Sequence, residues 1–237
     1  MKRSQSGFTL IEIAIVLVII GLLLGGILKG QELINSAKVK NLATDFRNIP
    51  VYLYGYQDKF KALPGDDANV VAHLGGGTLV TGPAACNNTN PAPCTGNGVI
   101  DGVWNSTGPA DETVVFWQHV RLAGLATGET AVNVAPGNTY MPTNAAGGQI
   151  GIQSASNNVL VNPIRDPVTS APIRGSYVIC SAGILGKFVK QLDIQMDDGN
   201  TATGSMMAVP YGSPANTAAI TTAAIQDADS YTVCMGI

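Results

Sequence analysis

Three groups of side chains in this sequence have the types and spacing to do chemistry. The first lies at a junction. Gly7 is followed by Phe8, and Phe8 opens an apolar run to Leu28 that carries a single charge, Glu12. Hydrolysis of the Gly7–Phe8 peptide would free an α-amine four residues before that carboxylate. Positions four apart share one helix face, so amine and carboxylate could pair within one chain or between stacked neighbours. A carboxylate in a bilayer-length helix costs roughly 2.5–3.5 kcal/mol on insertion scales, so a partner for it is expected. An ordinary secretory signal is cut after its apolar region, at small residues. Beyond Leu28 no such site reads cleanly, because Gly30 and Ala37 sit among polar residues.

The second group consists of oxygen donors. Asn97-Gly98-Val99-Ile100-Asp101-Gly102 echoes a calcium loop, with Asn97 and Asp101 as ligands and Asp66 or Glu112 contributing from elsewhere. Thr95 and Val99 stand where further ligands would be expected, and the closing Glu is missing. Asp193, Asp197 and Asp198, with Asn200, in LDIQMDDGN, form a second cluster of acidic and oxygen-donor side chains, although Asp198-Gly199 reads first as a turn. Solvated turns are the main expectation at both places, with calcium as the alternative; no other cofactor is expected.

These residues need elements to position them. Val39, Leu42, Phe46, Ile49, Leu53, Tyr56 and Phe60 alternate spacings of three and four, one apolar helical stripe opposite Lys40, Asp45, Arg47 and Asp58. Pro50 interrupts the hydrogen bonding but not the phase, which predicts a kink. The helix is expected to end at Leu63-Pro64-Gly65-Asp66. Gly21, Gly25, Gly26 and Gly30 suit either local unwinding or close helix packing. Residues 65–110 read as irregular, 111–125 as a short helix, and 128–175 as short strand-like pieces between turns. Residues 176–198 read as two strands, YVICSAGI and KFVKQLDIQM, joined by Leu185-Gly186-Lys187, and 205–237 supply the last strand. The helix stripe is the natural cover for the sheet's apolar face.

The string Gly7-Phe8-Thr9-Leu10-Ile11-Glu12, behind Lys2 and Arg3, resembles the processing site of type IV prepilins and type II secretion pseudopilins. The resemblance is strong to about residue 65 and weaker beyond. It implies a cut between Gly7 and Phe8 by a membrane-embedded prepilin peptidase, methylation of the Phe8 amine, and a role for Glu12 in subunit docking. It also implies the pilin-like α+β fold, a long N-terminal helix packed on an antiparallel β-sheet head. The expected organisation is a leader at 1–7, a transmembrane and filament-core helix at 8–29, an amphipathic half at 30–63 and a β-rich head at 64–237. Implied partners are other copies or related pilins in a helical filament, the peptidase and an inner-membrane assembly platform. The expected location is the bacterial inner membrane with the head in the periplasm, then an extracellular pilus. A periplasmic secretion pseudopilus and a tip subunit acting as adhesin are the alternatives.

The third group is Cys86, Cys94, Cys180 and Cys234. An even count in an exported domain points to two disulfides, each worth about 2–4 kcal/mol. Of three pairings, Cys86–Cys94 would clamp a turn-rich stretch without core residues, and Cys180–Cys234 would tie the last strand to YVICSAGI. A four-cysteine metal site lacks a paired CxxC, and only His73 and His119 could supplement it.

Composition excludes other classes. Without residues 1–7 the chain has 11 basic side chains against 16 acidic, a net charge of −5, so nucleic acid is not indicated as a ligand. No Ser or Cys lies in a nucleophile motif and no phosphate-cradling Gly loop follows a strand, so a structural protein is expected and not an enzyme. Asn87-Asn88-Thr89 and Asn105-Ser106-Thr107 fit the N-glycosylation pattern, but in a bacterial protein they are expected to stay unmodified. His119 is expected as a packed or partly exposed helix residue.

Overall fold

The computed structural model describes residues 7, 9–80, 95–155 and 162–237. The chain divides into two compact units, Met1–Lys38 and Val39–Ile237. The first contributes the start of α1 (Leu10–Phe60), a helix long and apolar enough to cross a membrane. Every residue from Thr9 to Lys29 is exposed, the Leu, Ile and Val side chains included. A Cβ at Gly21, Gly25, Gly26 or Gly30 would meet nothing within 4 Å, and the helix runs unbroken through all four.

The second unit is built on the helical stripe. Val39, Leu42, Phe46, Ile49, Leu53 and Tyr56 are buried along α1, with Phe60 half-buried. Pro50 lies inside the helix without ending it. The stop comes earlier than the Pro-Gly signal predicts. Lys61 takes φ 55° while its N–H still closes the last turn on Gln57 at 2.9 Å, and this left-handed residue turns the chain before Leu63.

Four antiparallel strands form the sheet: β1 (Ile150–Ser154), β3 (Tyr177–Leu185), β4 (Met206–Pro210) and β6 (Ser230–Gly236), in spatial order β1-β3-β6-β4. β2 (Ile164–Arg165) and β5 (Thr217–Ala218) pair in parallel beside it. In register, Cys180 stands opposite Cys234, and the pairing shifts between Ser181 and Ile184, where Gly183 adopts φ 71°.

Strand alternation sends two sets of side chains to opposite faces. Ile150, Ile152, Ile179, Met206, Ala208, Val233 and Met235 join the α1 stripe in the main core. Val178, Cys180, Met207, Val209 and Cys234 pack instead with Trp104, Ile164, Ile173 and Ala219. The sheet is therefore covered twice, by helices on one face and by irregular chain with the β2–β5 pair on the other. Gly151 permits that second layer, since a Cβ there would collide with the Trp104 carbonyl.

α2 (Val70–Leu74) is a single turn within the region read as irregular. α3 (Glu112–Leu122) forms where the sequence predicts a short helix, but every residue from Glu112 to Arg121 is buried, not one face alone. The segment KFVKQLDIQM is not a strand. It forms α4 (Gly186–Met196), directly after β3. Phe188, Val189, Leu192 and Asp193 fall on one helical face and are buried, a 3.6-residue pattern that its alternating look conceals.

Candidate functional site

The helix start is built by two side chains. Thr9 precedes the first turn of α1, and its N–H donates to Glu12 Oε2 at 2.8 Å while its hydroxyl donates to the same oxygen at 2.7 Å. The Glu12 N–H reaches back to Thr9 Oγ1 at 3.4 Å. This is a capping box, in which N-cap and third helical residue satisfy each other's orphan donors. A carboxylate is also favoured at the positive end of the helix dipole. Thr9 has no role in the reading of the sequence above, though Thr-x-x-Glu ahead of an apolar run is itself a legible signature. Gly7 is exposed; Phe8, and with it the expected pairing of its amine, lies outside the described residues.

Cys180 and Cys234 are joined by a disulfide across neighbouring strands, closing 54 residues. Cys86 and Cys94 lie outside the described residues.

The loop at 97–102 gathers all four side chains considered for it, but N–H groups fill both oxygens of Asp66. Asp66 accepts from the backbone N–H of Gly96, of Asn97 at 3.2 Å and of Gly98 at 2.7 Å. Asn97 Nδ2 donates to Asp101 Oδ2 at 2.9 Å, and the Asp101 N–H donates to Glu112 Oε2 at 2.7 Å. Asp66 is thus the acceptor around which the loop folds, and burial pushes its carboxyl up against those bonds. Glu112 is fully buried, and its Oε1 has no hydrogen bond. Burial first, then the charges of Asp66, Asp101 and Asp111, push its carboxyl up to about 9, against the Asp101 N–H bond.

Asp193, Asp197 and Asp198 come together at the end of α4, their nearest oxygens within 4.8 Å of one another. Asp193 is 1% exposed and neither of its oxygens closes a hydrogen bond. Burial, with the charges of Asp197 and Asp198 added, pushes its carboxyl up to about 7; the nearby Gly199 N–H acts the other way.

Tyr56, Asp67, His73 and His119 pin the end of α1 to the following loops. The Tyr56 hydroxyl and His73 Nδ1 each lie 2.7 Å from Asp67 Oδ2. Burial pushes the Asp67 carboxyl up, but the bonds from Tyr56 and His73 outweigh it and the net shift is downward. His119 accepts from the Gly65 N–H at Nδ1, 3.0 Å, and Nε2 lies 3.1 Å from the Thr78 carbonyl. Burial lowers its pKa, so the ring is neutral and donates from Nε2. It is a packed helix residue, as the sequence predicts.

No curated protein and no solved structure matches the chain. Residues 2–28 match the family model of the prokaryotic N-terminal methylation motif. By that segment, which holds Gly7, Phe8, Thr9 and Glu12, the chain carries the prepilin-type cleavage and methylation signature of type IV pilin-like and pseudopilin-like proteins.

Proposed function

We propose that the protein is a structural subunit of a type IV pilus-like filament, cut between Gly7 and Phe8, methylated on the Phe8 amine, and assembled through α1. One observation carries this reading: the helix bearing the methylation motif exposes its whole apolar surface from Leu10 to Leu28. A surface of that size and length has no stable place in water. Lipid covers it in the inner membrane before assembly, and the helices of neighbouring subunits cover it in the filament. The head, with its disulfide, faces the periplasm and then the filament exterior. The chain catalyses nothing in this reading; the peptidase, the assembly platform and other pilin subunits are its partners.

The test is N-terminal mass spectrometry of subunits from sheared surface filaments. The expected terminus is N-methylated Phe8, and Gly7→Leu should abolish the cut. Mature protein that starts at Met1, or beyond Leu28, would sink the proposal. Intact subunit found only in periplasmic fractions would replace the pilus with a secretion pseudopilus.

A further inference from the structure

We propose that Asp193, Asp197 and Asp198 bind one calcium-sized, hard divalent cation that ties the end of α4 to the start of β4. The acidic residues alone would not carry this, because exposed carboxylates gather in many turns. Two further features do. Asp193 is 1% exposed, yet both of its oxygens lack a hydrogen bond. One of those oxygens lies within 4.8 Å of a carboxylate oxygen of Asp197 and of Asp198, and among the described residues no Lys, Arg or His forms an ion pair with any of the three. A buried carboxylate without a hydrogen bond, beside two others, is costly unless it keeps a proton or a cation shares the three.

The surrounding chain already holds the other two carboxylates in place. Asp197 Oδ2 accepts from the Met206 N–H at 2.8 Å and Oδ1 from the Ser205 hydroxyl at 3.1 Å. Asp198 Oδ1 accepts from the Asn200 N–H at 2.8 Å and Oδ2 from the Thr203 hydroxyl at 3.1 Å. A Cβ at Gly204 would collide with Asp197 Oδ2, so the chain approaches as only Gly allows, at φ 84°. The cluster also sits at the C-terminus of α4, where the helix dipole favours positive charge.

The donor set selects the ion class. All candidate ligands are oxygens, with no His or Cys among them, which disfavours zinc and copper. Separations up to 4.8 Å fit a single ion with Ca–O distances of about 2.3–2.6 Å on each side. Magnesium demands a tighter octahedron and gives up its water reluctantly. The loop at Asp66 and Asp101 is the contrasting case, since three backbone N–H groups converge on Asp66, whereas Asp197 and Asp198 each accept from one.

The test is calorimetric titration of CaCl2 into the full chain in detergent micelles, with MgCl2 in parallel and thermal melts at each end point. One equivalent of calcium should bind more tightly than magnesium and raise the melting temperature. Asp193→Asn and Asp198→Asn should each weaken binding by more than about tenfold, since losing even an outer-sphere partner costs about 10–100-fold. Asp198 is exposed, so Asp198→Asn should still give a cooperative calcium-free melt, which separates lost binding from lost folding. Asp101→Asn should bind calcium as the parent does. No saturable binding by the parent, binding that survives both Asp193→Asn and Asp198→Asn, or loss through Asp101→Asn instead would each overturn the proposal.

Discussion

Glu12 has two claims on its carboxylate. In the single chain it accepts twice from Thr9 and completes the cap of α1. In the proposed filament it faces the Phe8 amine, the only positive group the sequence offers at that depth, since Lys29 is about 25 Å further along the helix at 1.5 Å per residue. Two substitutions separate these roles. Glu12→Ala loses both. Glu12→Gln keeps a side chain able to serve a capping box but loses the charge. Both variants should be cut, inserted in the membrane and disulfide-bonded, yet both should add poorly to filaments. Thr9→Ala, which weakens only the cap, should cost about 1 kcal/mol of local helix stability and leave assembly largely intact. Filament counts from strains carrying each variant decide the matter: normal numbers of filaments with Glu12→Gln would make the cap, not the charge, the function of this residue.

Glu112 makes a second test at a single residue. Its folded carboxyl is raised to about 9 from an ordinary value of 4.5, so between those values the folded state holds a proton that the unfolded chain releases. Stability must then fall as pH rises through that window, with a slope from this group of about 1.4 kcal/mol per pH unit. Glu112→Gln removes the titration and should flatten the curve by that amount between pH 5 and 8. Denaturant titrations of parent and variant in micelles measure it; parallel curves would show that Glu112 is ionised in the folded protein.

At the scale of elements, what could be read in the sequence follows from how local each signal is. The α1 stripe is a property of seven side chains at helical spacing, so it showed through Pro50. The helix stop was misplaced because Lys61, which makes the left-handed turn, carries no mark of doing so, while Pro64 and Gly65 do. α4 reads as a strand because Phe188, Val189 and Leu192 suit one, and only the fold shows that Asp193 shares their buried face. The second sheet layer leaves no local pattern, since Trp104 and Ile173 come from distant irregular segments, Ile164 from the two-residue strand β2 and Ala219 from just beyond the two-residue strand β5. At the candidate site, Gly7, Phe8 and Glu12 were legible as a contiguous string, whereas the unpaired state of Asp193 depends on what the fold leaves out. The stripe itself is testable. Phe46 is fully buried, and Phe46→Ala should destabilise the head by about 3–5 kcal/mol. Leu17 is 63% exposed, so Leu17→Ala should leave the head's unfolding transition unchanged in micelles.

At the scale of the whole molecule, the two units answer to different solvents. Val39–Ile237 buries its apolar side chains on both faces of a sheet, and the N-terminal run exposes every one of its own. The processing signature lies wholly in the first unit and the Cys180–Cys234 bond wholly in the second. A change to the bond should therefore act on head stability without touching maturation. The loop it closes spans 54 residues, and chain-entropy arguments give such a closure about 4 kcal/mol of stabilisation. That is a large share of the 5–15 kcal/mol by which folded domains usually survive. Replacing both cysteines by Ser should accordingly lower the head's unfolding free energy by about 4 kcal/mol, measured in micelles. The same variant should still yield a mature chain starting at Phe8, because the methylation motif lies wholly within residues 2–28. A double variant that keeps the parent's stability would remove the bond's structural role, and one that is no longer cut would tie maturation to the fold of the head.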